Sequence, residues 1–140
     1  MIRTASAQWT GDLKGGKGTM SASSGVLKDT PYSFVTRFEN APGTNPEELI
    51  AAAHAGCFSM ALSGALGRAG FTPTRISTNS TLTAEFVDGA WTIKIIHLDV
   101  TGIVPGVSKE KFAEIAADAK ANCPVSRVLK AVITLNAVLQ

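Results

Sequence analysis

The chain has 140 residues, 45% of them hydrophobic and 17% charged, with a formal net charge of +2. That length fits one domain with a core that buries roughly two thirds of the unfolded surface, and the composition is globular rather than disordered. The basic residues are scattered singly, which argues against a nucleic-acid partner, and the first nine residues alternate like a strand where a secretory signal needs an apolar core, so a reducing cytoplasm is the expected compartment.

Thr4 to Thr10, Gly18 to Ser24 and, after Pro31, Tyr32 to Phe38 alternate as strands, with a break at Gly11-Asp12. The loop Asn40 to Asn45 ends in a helix start: Asn45 can cap, Pro46 suits the first helical position, and Glu47 and Glu48 set negative charge against the free amides of the first turn. No breaker follows before about Ala69 except isolated glycines, which gives a helix of roughly 36 Å at 1.5 Å per residue, ended by Gly70. Its only polar side chains between Leu49 and Gly67 are His54, Ser59 and Ser63, and a helix apolar all round is expected to be buried on every side.

The helix approaches the roughly 20 residues of a membrane span, but Ala, Gly and Ser dominate it and the rest of the chain alternates as soluble strands do. It reads as a central helix, with no membrane partner. One chain of this size has little material to sheathe it, so a second copy is expected to help. Ala52, Gly56 and Ser63 lie near one face and permit close helix contact.

Beyond Pro73, Arg75 to Val87 and Ala90 to Val104 alternate on either side of Asp88-Gly89, the strongest hairpin signal in the chain. Ser108 caps an amphipathic helix from Lys109 to about Ala121, with Phe112, Ile115, Ala116 and Ala119 inward. Cys123-Pro124 opens a short helix to Leu129, and Val132 to Leu139 closes the chain as a strand. Strands, helix, strands, helix, strand define an α+β domain over residues 1–140.

Cys57 and Cys123 are the only cysteines. Where thioredoxin and glutathione hold thiols reduced, such a pair is redox-active, metal-binding or simply buried. Cys57, mid-helix in apolar surroundings, has its pKa raised above the free value of about 8.5. To titrate near pH 6 it needs about 3.4 kcal/mol of thiolate stabilisation at 1.36 kcal/mol per unit. A guanidinium about 4 Å away contributes on the order of 4 kcal/mol at an effective dielectric of 20, less desolvation, so one well-placed arginine just suffices. Of Arg3, Arg37, Arg68, Arg75 and Arg127, Arg37 lies on the strand that enters the loop launching the helix, and Glu47 or Glu48 on the first turn can hold it. Cys123, at a helix N-cap, is the thiol that local physics alone names the more acidic; a separation of 66 residues says nothing about contact between the two.

Each residue also has an ordinary reading. A buried cysteine acts as a small hydrophobe, Asn122 to Ser126 is a good helix start in any protein, and Arg37 with Glu47 can be a plain ion pair. His54 stands three residues before Cys57 at a spacing suited to metal, yet without third and fourth ligands, so it is expected to be a satisfied core or interface histidine, with no metal or cofactor. His97, Trp9, Tyr32 and Trp91 read as packing residues in strands. A structural dimer with a scaffold disulfide and a zinc protein are the competing classes.

Thr44 to Leu62, with its Asn-Pro-Glu-Glu-Leu start and Ala53-His54-Ala55-Gly56-Cys57-Phe58-Ser59-Met60, and Cys123-Pro124-Val125-Ser126-Arg127-Val128-Leu129-Lys130 together resemble the osmotically inducible protein C family. Trp9-Thr10-Gly11-Asp12 and Gly15-Gly16-Lys17-Gly18-Thr19 resemble it too, so the likeness spans essentially the whole chain. The family includes organic hydroperoxide resistance proteins; His54 to Leu62 and Arg37 lean toward the osmotically inducible branch. The resemblance implies antiparallel sheets around a long central apolar helix in an intertwined homodimer. It further implies a thiol peroxidase for organic hydroperoxides: Cys57 matches the peroxidatic cysteine, Cys123 the resolving one, Arg37 the activating arginine and Glu47 the carboxylate that positions it. On the nucleophile it overrules the helix-end argument for Cys123. An external dithiol, lipoylated in some relatives, completes the expected cycle.

Overall fold

The computed structural model describes residues 1–39 and 41–140, so the Asn40 end of the expected loop lies outside the described residues. The chain divides into two compact units, Met1–Leu49 and Ile50–Gln140.

In the first, β1 (Ala5–Thr10), β2 (Lys17–Ala22) and β3 (Thr30–Ser33) form an antiparallel sheet in that order. The β1–β2 turn closes around Trp9, whose Nε1 donates to Gly11 O at 3.1 Å, while Asp12 Oδ1 accepts from the Lys14 and Gly15 amides at 2.9 and 2.8 Å. Gly16 is required there, because a Cβ would run into the Asp12 carbonyl and the Trp9 indole nitrogen.

The third expected strand is cut short. Ser33 starts a helix instead, α1 (Phe34–Phe38). Its hydroxyl accepts from Thr36 N at 3.4 Å, and Thr36 Oγ1 in turn accepts from Ser33 N at 3.0 Å, a reciprocal cap. That local pairing outweighs the alternation of Tyr32 to Phe38, so Arg37 sits on a helix and not on a strand. Thr36 also donates to Thr44 O at 3.0 Å and its carbonyl accepts from Asn45 Nδ2 at 3.4 Å, which ties α1 to the start of the long helix.

That helix, α2 (Pro46–Arg68), begins as expected: Asn45 Oδ1 accepts from Glu48 N at 2.8 Å, with Glu47 and Glu48 in the first turn. It ends at Gly70, where φ of +88° lets the Gly70 amide reach Gly67 O at 3.1 Å and the Phe71 amide reach Leu66 O at 2.9 Å.

The second unit pairs β4 (Arg75–Val87) with β5 (Ala90–Ile103) antiparallel, and their two-residue turn holds Asp88 and Gly89 at φ of +51° and +81°, both left-handed. Then α3 (Lys109–Asn122), capped by Ser108, and α4 (Pro124–Val128) carry the chain back to β6 (Val132–Leu139). β6 joins β5 parallel. Alternation does not encode strand direction; here the helical crossover sets it, so only the first sheet is wholly antiparallel.

His54, Phe58, Leu62, Ala65 and Leu66 form one buried face of α2. The apolar members of that face share a core with Ile96, Leu98 and Val100 of β5, with Phe112, Ile115, Ala116 and Ala119 of α3, and with Cys123. The helix is long and apolar enough to cross a membrane, but this face makes it the core helix of its unit. The expectation of burial on every side is not met in a single chain: Ala53, Gly56, Ser63, Gly64 and Gly67 are exposed, and Met60 is 78% exposed. A three-stranded sheet covers one side of a helix and leaves the other open.

Candidate active site

Cys57 and His54 stand three residues apart on α2 and therefore share a face. Cys123 and Ser126 have the same spacing across the start of α4. The fold sets these pairs against each other. The Cys57 sulfur takes a hydrogen bond from the Val125 backbone N–H and meets the Cys123 side chain in a thiol–thiol hydrogen-bond contact; both cysteines are free thiols, Cys57 half-buried and Cys123 fully buried. Burial pushes the Cys57 thiol up, the Val125 amide draws it back, and the neighbouring Cys123 thiol raises it again. The expectation that apolar surroundings make this thiol reluctant to ionise is met.

One turn earlier, His54 Nε2 lies 2.8 Å from Ser126 Oγ. The imidazole has no exposed surface, and its Nδ1 has no hydrogen-bond partner, so His54 is half satisfied rather than the fully satisfied histidine expected. Burial lowers its pKa from the ordinary 6.5, and below that pH the unfolded chain binds the proton that the folded chain refuses. Stability from this group is therefore complete above about pH 6.5 and is lost as the pH falls. Urea midpoints measured from pH 7 to pH 5 are expected to fall more steeply for the native chain than for His54→Gln; parallel slopes would place the acid sensitivity elsewhere.

The other predicted pair forms within the first unit. Arg37 Nε donates to both Glu47 oxygens at 3.1 Å and a terminal guanidinium nitrogen reaches Oε1 at 2.7 Å. Glu48, equally eligible by sequence, has its side chain in no such pair; its amide is the one Asn45 caps. The guanidinium also lies over the Phe38 ring, 4.9 Å from its centroid. Beside it, Trp9, Leu13, Tyr32, Ser33, Phe34 and Phe38 line a cavity of about 210 Å³. The structure thus brings Arg37 to Glu47 in one unit and Cys57 to Cys123 in the other.

Among the described residues no three His, Cys, Asp or Glu side chains converge as metal ligands. Trp9 packs on Tyr32 with centroids 5.3 Å apart, as expected, whereas Trp91 is 55% exposed at the hairpin end beside Phe86. His97 lies partly exposed on the sheet, its Nδ1 2.6 Å from Thr134 Oγ1 and its Nε2 3.3 Å from Asp99. Sequence reasoning gave Ser126 and the Val125 amide no role at the thiols; the signal was the repeated spacing of three, His54 to Cys57 and Cys123 to Ser126.

Peroxiredoxin OsmC of Escherichia coli (strain K12) is 57% identical to this chain over 130 residues, 93% of this chain and 91% of that protein. Two thiols meeting between a long core helix and the start of a short one, at this identity, define a cysteine-based peroxidase. The organic hydroperoxide resistance protein OhrB of Bacillus subtilis has the same fold with a TM-score of 0.67 and 26% identity, covering 98% of each chain. An OsmC-like protein from Mycoplasma pneumoniae, 16% identical, superposes with a TM-score of 0.76 over 99% of this chain and 97% of its own. The family described as OsmC-like protein is matched over residues 38–137, and the chain belongs to it.

Proposed function

We propose that this peroxidase reduces organic hydroperoxides to alcohols through a Cys57 sulfenic acid and a Cys57–Cys123 disulfide, in defence against oxidative and osmotic stress. The observation that carries the reading is the contact between the Cys57 and Cys123 thiols. Cys57 as thiolate attacks the distal peroxide oxygen, the O–O bond breaks, and the alkoxide leaves and takes up a proton. Arg37, steadied by Glu47, supplies positive charge to the thiolate and to the departing oxygen. Cys123 then displaces hydroxide from the sulfenic sulfur, and an external dithiol, of which a lipoylated protein is one form, reopens the disulfide by exchange. A reducing cytoplasm is the compartment that supplies such a dithiol.

An alkyl or aryl group suits the aromatic cavity beside Arg37. Phe58, next to Cys57 in the chain, is wholly buried in the core and lies outside that cavity. The uncovered stripe of α2 supports an intertwined homodimer, since an apolar helix side left in water calls for a covering partner. The family match, residues 38–137, begins in the last part of the first compact unit and continues through most of the second, which supports one functional domain over residues 1–140.

Reduced protein given cumene hydroperoxide without a dithiol tests the reading. The native chain and Cys123→Ser are expected to consume about one equivalent, and Cys57→Ser none above background. With dithiol present, the native chain turns over faster on cumene hydroperoxide than on hydrogen peroxide. Consumption unchanged in Cys57→Ser would remove the thiol mechanism, and equal rates on the two peroxides would remove the substrate preference.

A further inference from the structure

His54 is an odd choice for stability alone. A buried imidazole with one hydrogen bond and one orphaned nitrogen gains from its bond little more than it loses on the side left unpaired, and an apolar side chain would fill the space at least as well. What a directional bond supplies that an apolar contact does not is a fixed register. The proton belongs on Nε2, donated to Ser126 Oγ, because a buried acceptor without a partner costs less than a buried donor without one.

The register being fixed is that of α4. This helix has five residues and none of them is buried. Among the described residues, the bond from Ser126 to His54 is its side-chain hydrogen bond to the remainder of the unit. Its cap is Cys123, and two contacts run antiparallel between α2 and α4: Cys57 with Cys123, and His54 with Ser126. The first is remade in every catalytic cycle. In resolution the Cys57 S–O bond breaks, an S–S bond forms, and hydroxide leaves with the Cys123 proton as water; the two sulfurs must close from hydrogen-bond contact to about 2 Å. The second contact takes no part in this exchange of atoms and lies one helical turn away.

We propose that the His54–Ser126 bond is a clasp that holds α4 in the resolving position, so that Cys123 captures the Cys57 sulfenic acid before a second peroxide does. Ser126 and His54 are positioning residues for the second step and leave the first alone. The inference rests on the reading of Cys57 and Cys123 given above.

Ser126→Ala and Ser126→Thr, each compared with the native chain in single-turnover mixing with cumene hydroperoxide, separate the steps. Peroxide consumption reports the first, and loss of free thiol with intact mass reports the second. Ser126→Ala is expected to consume the first equivalent at the native rate but to form the disulfide about fivefold to tenfold more slowly, as for loss of one hydrogen bond of ordinary strength. It is also expected to accumulate sulfinic Cys57, seen as a gain of two oxygens, at peroxide levels the native chain survives. Ser126→Thr, which keeps the hydroxyl, restores the native rate of disulfide formation. Disulfide formation as fast in Ser126→Ala as in the native chain, or both steps slowed alike through lost folded protein, would overturn the clasp and leave the two-cysteine reading standing. Absence of any disulfide in the oxidised native chain would overturn both.

Discussion

Arg37→Met is expected to lower kcat/KM for cumene hydroperoxide at pH 7 by two to three orders of magnitude, the largest loss short of removing Cys57. The thiol starts from an unfavourable position, because burial and the Cys123 thiol both raise its pKa and one backbone amide alone opposes them. A thiol near or above its ordinary value of about 8.5 is a few per cent ionised at neutral pH. A guanidinium about 4 Å from the sulfur favours the thiolate by on the order of 4 kcal/mol at an effective dielectric of 20; after desolvation, two to three pKa units at 1.36 kcal/mol each remain to be lost.

In the mechanism proposed the same arginine also stabilises charge on the leaving oxygen, so the rate is expected to fall even where the thiol is ionised. Glu47→Gln keeps the guanidinium but removes the carboxylate charge and one of the two oxygens that accept its three hydrogen bonds, and a drop of roughly tenfold is expected, about what one charged contact is worth. Ultraviolet titration of the Cys57 thiolate in a Cys123→Ser background checks the cause. Arg37→Met moves the midpoint up, and because the thiolate fraction then grows with pH, part of the lost activity returns in alkaline buffer. An unmoved titration with native kinetics would reduce Arg37 and Glu47 to an ion pair between α1 and α2.

The choice between Glu47 and Glu48 shows what a sequence of this kind can and cannot supply. Both carboxylates suit the first turn of a helix, and neighbours on a helix differ by about 100° in direction, so only the location of Arg37 separates them. That location was misjudged in kind, since the strand pattern of Tyr32 to Phe38 yields to the Ser33 and Thr36 cap. Where the signal is local and chemically specific, sequence and structure agree: Asn45 before Pro46, Gly70 after α2, the Asp88-Gly89 turn, and Ser108 before α3. Non-local facts were beyond reach. The meeting of Cys57 with Cys123 and the parallel approach of β6 are products of the α3–α4 crossover, which alternation and propensity do not orient. The composition of α2 likewise announces burial without saying whether its own chain supplies the cover.

Phe58→Ala is expected to destabilise the protein by about 3–5 kcal/mol, the usual range for emptying a buried aromatic site, out of the 5–15 kcal/mol that holds a typical domain together. Phe58 has no exposed surface and sits on the core face of α2 between His54 and Leu62. It follows Cys57 directly, so the packing of its ring sets the rotation of the helix that directs the thiol toward α4. Phe58→Leu keeps much of the volume and is expected to lose less.

Urea unfolding followed at one protein concentration gives the difference, and repeating it at a second concentration matters because a dimer's midpoint rises with concentration while a monomer's does not. A loss below about 1 kcal/mol for Phe58→Ala, the level of a surface change, would mean that this face is not the core of its unit. A loss in the expected range, with disulfide formation slowed in the surviving folded protein, would tie the thiol's aim to the packing of its neighbour: a helix rotated by a few degrees about an emptied site carries Cys57 away from Cys123 while leaving its own chemistry intact.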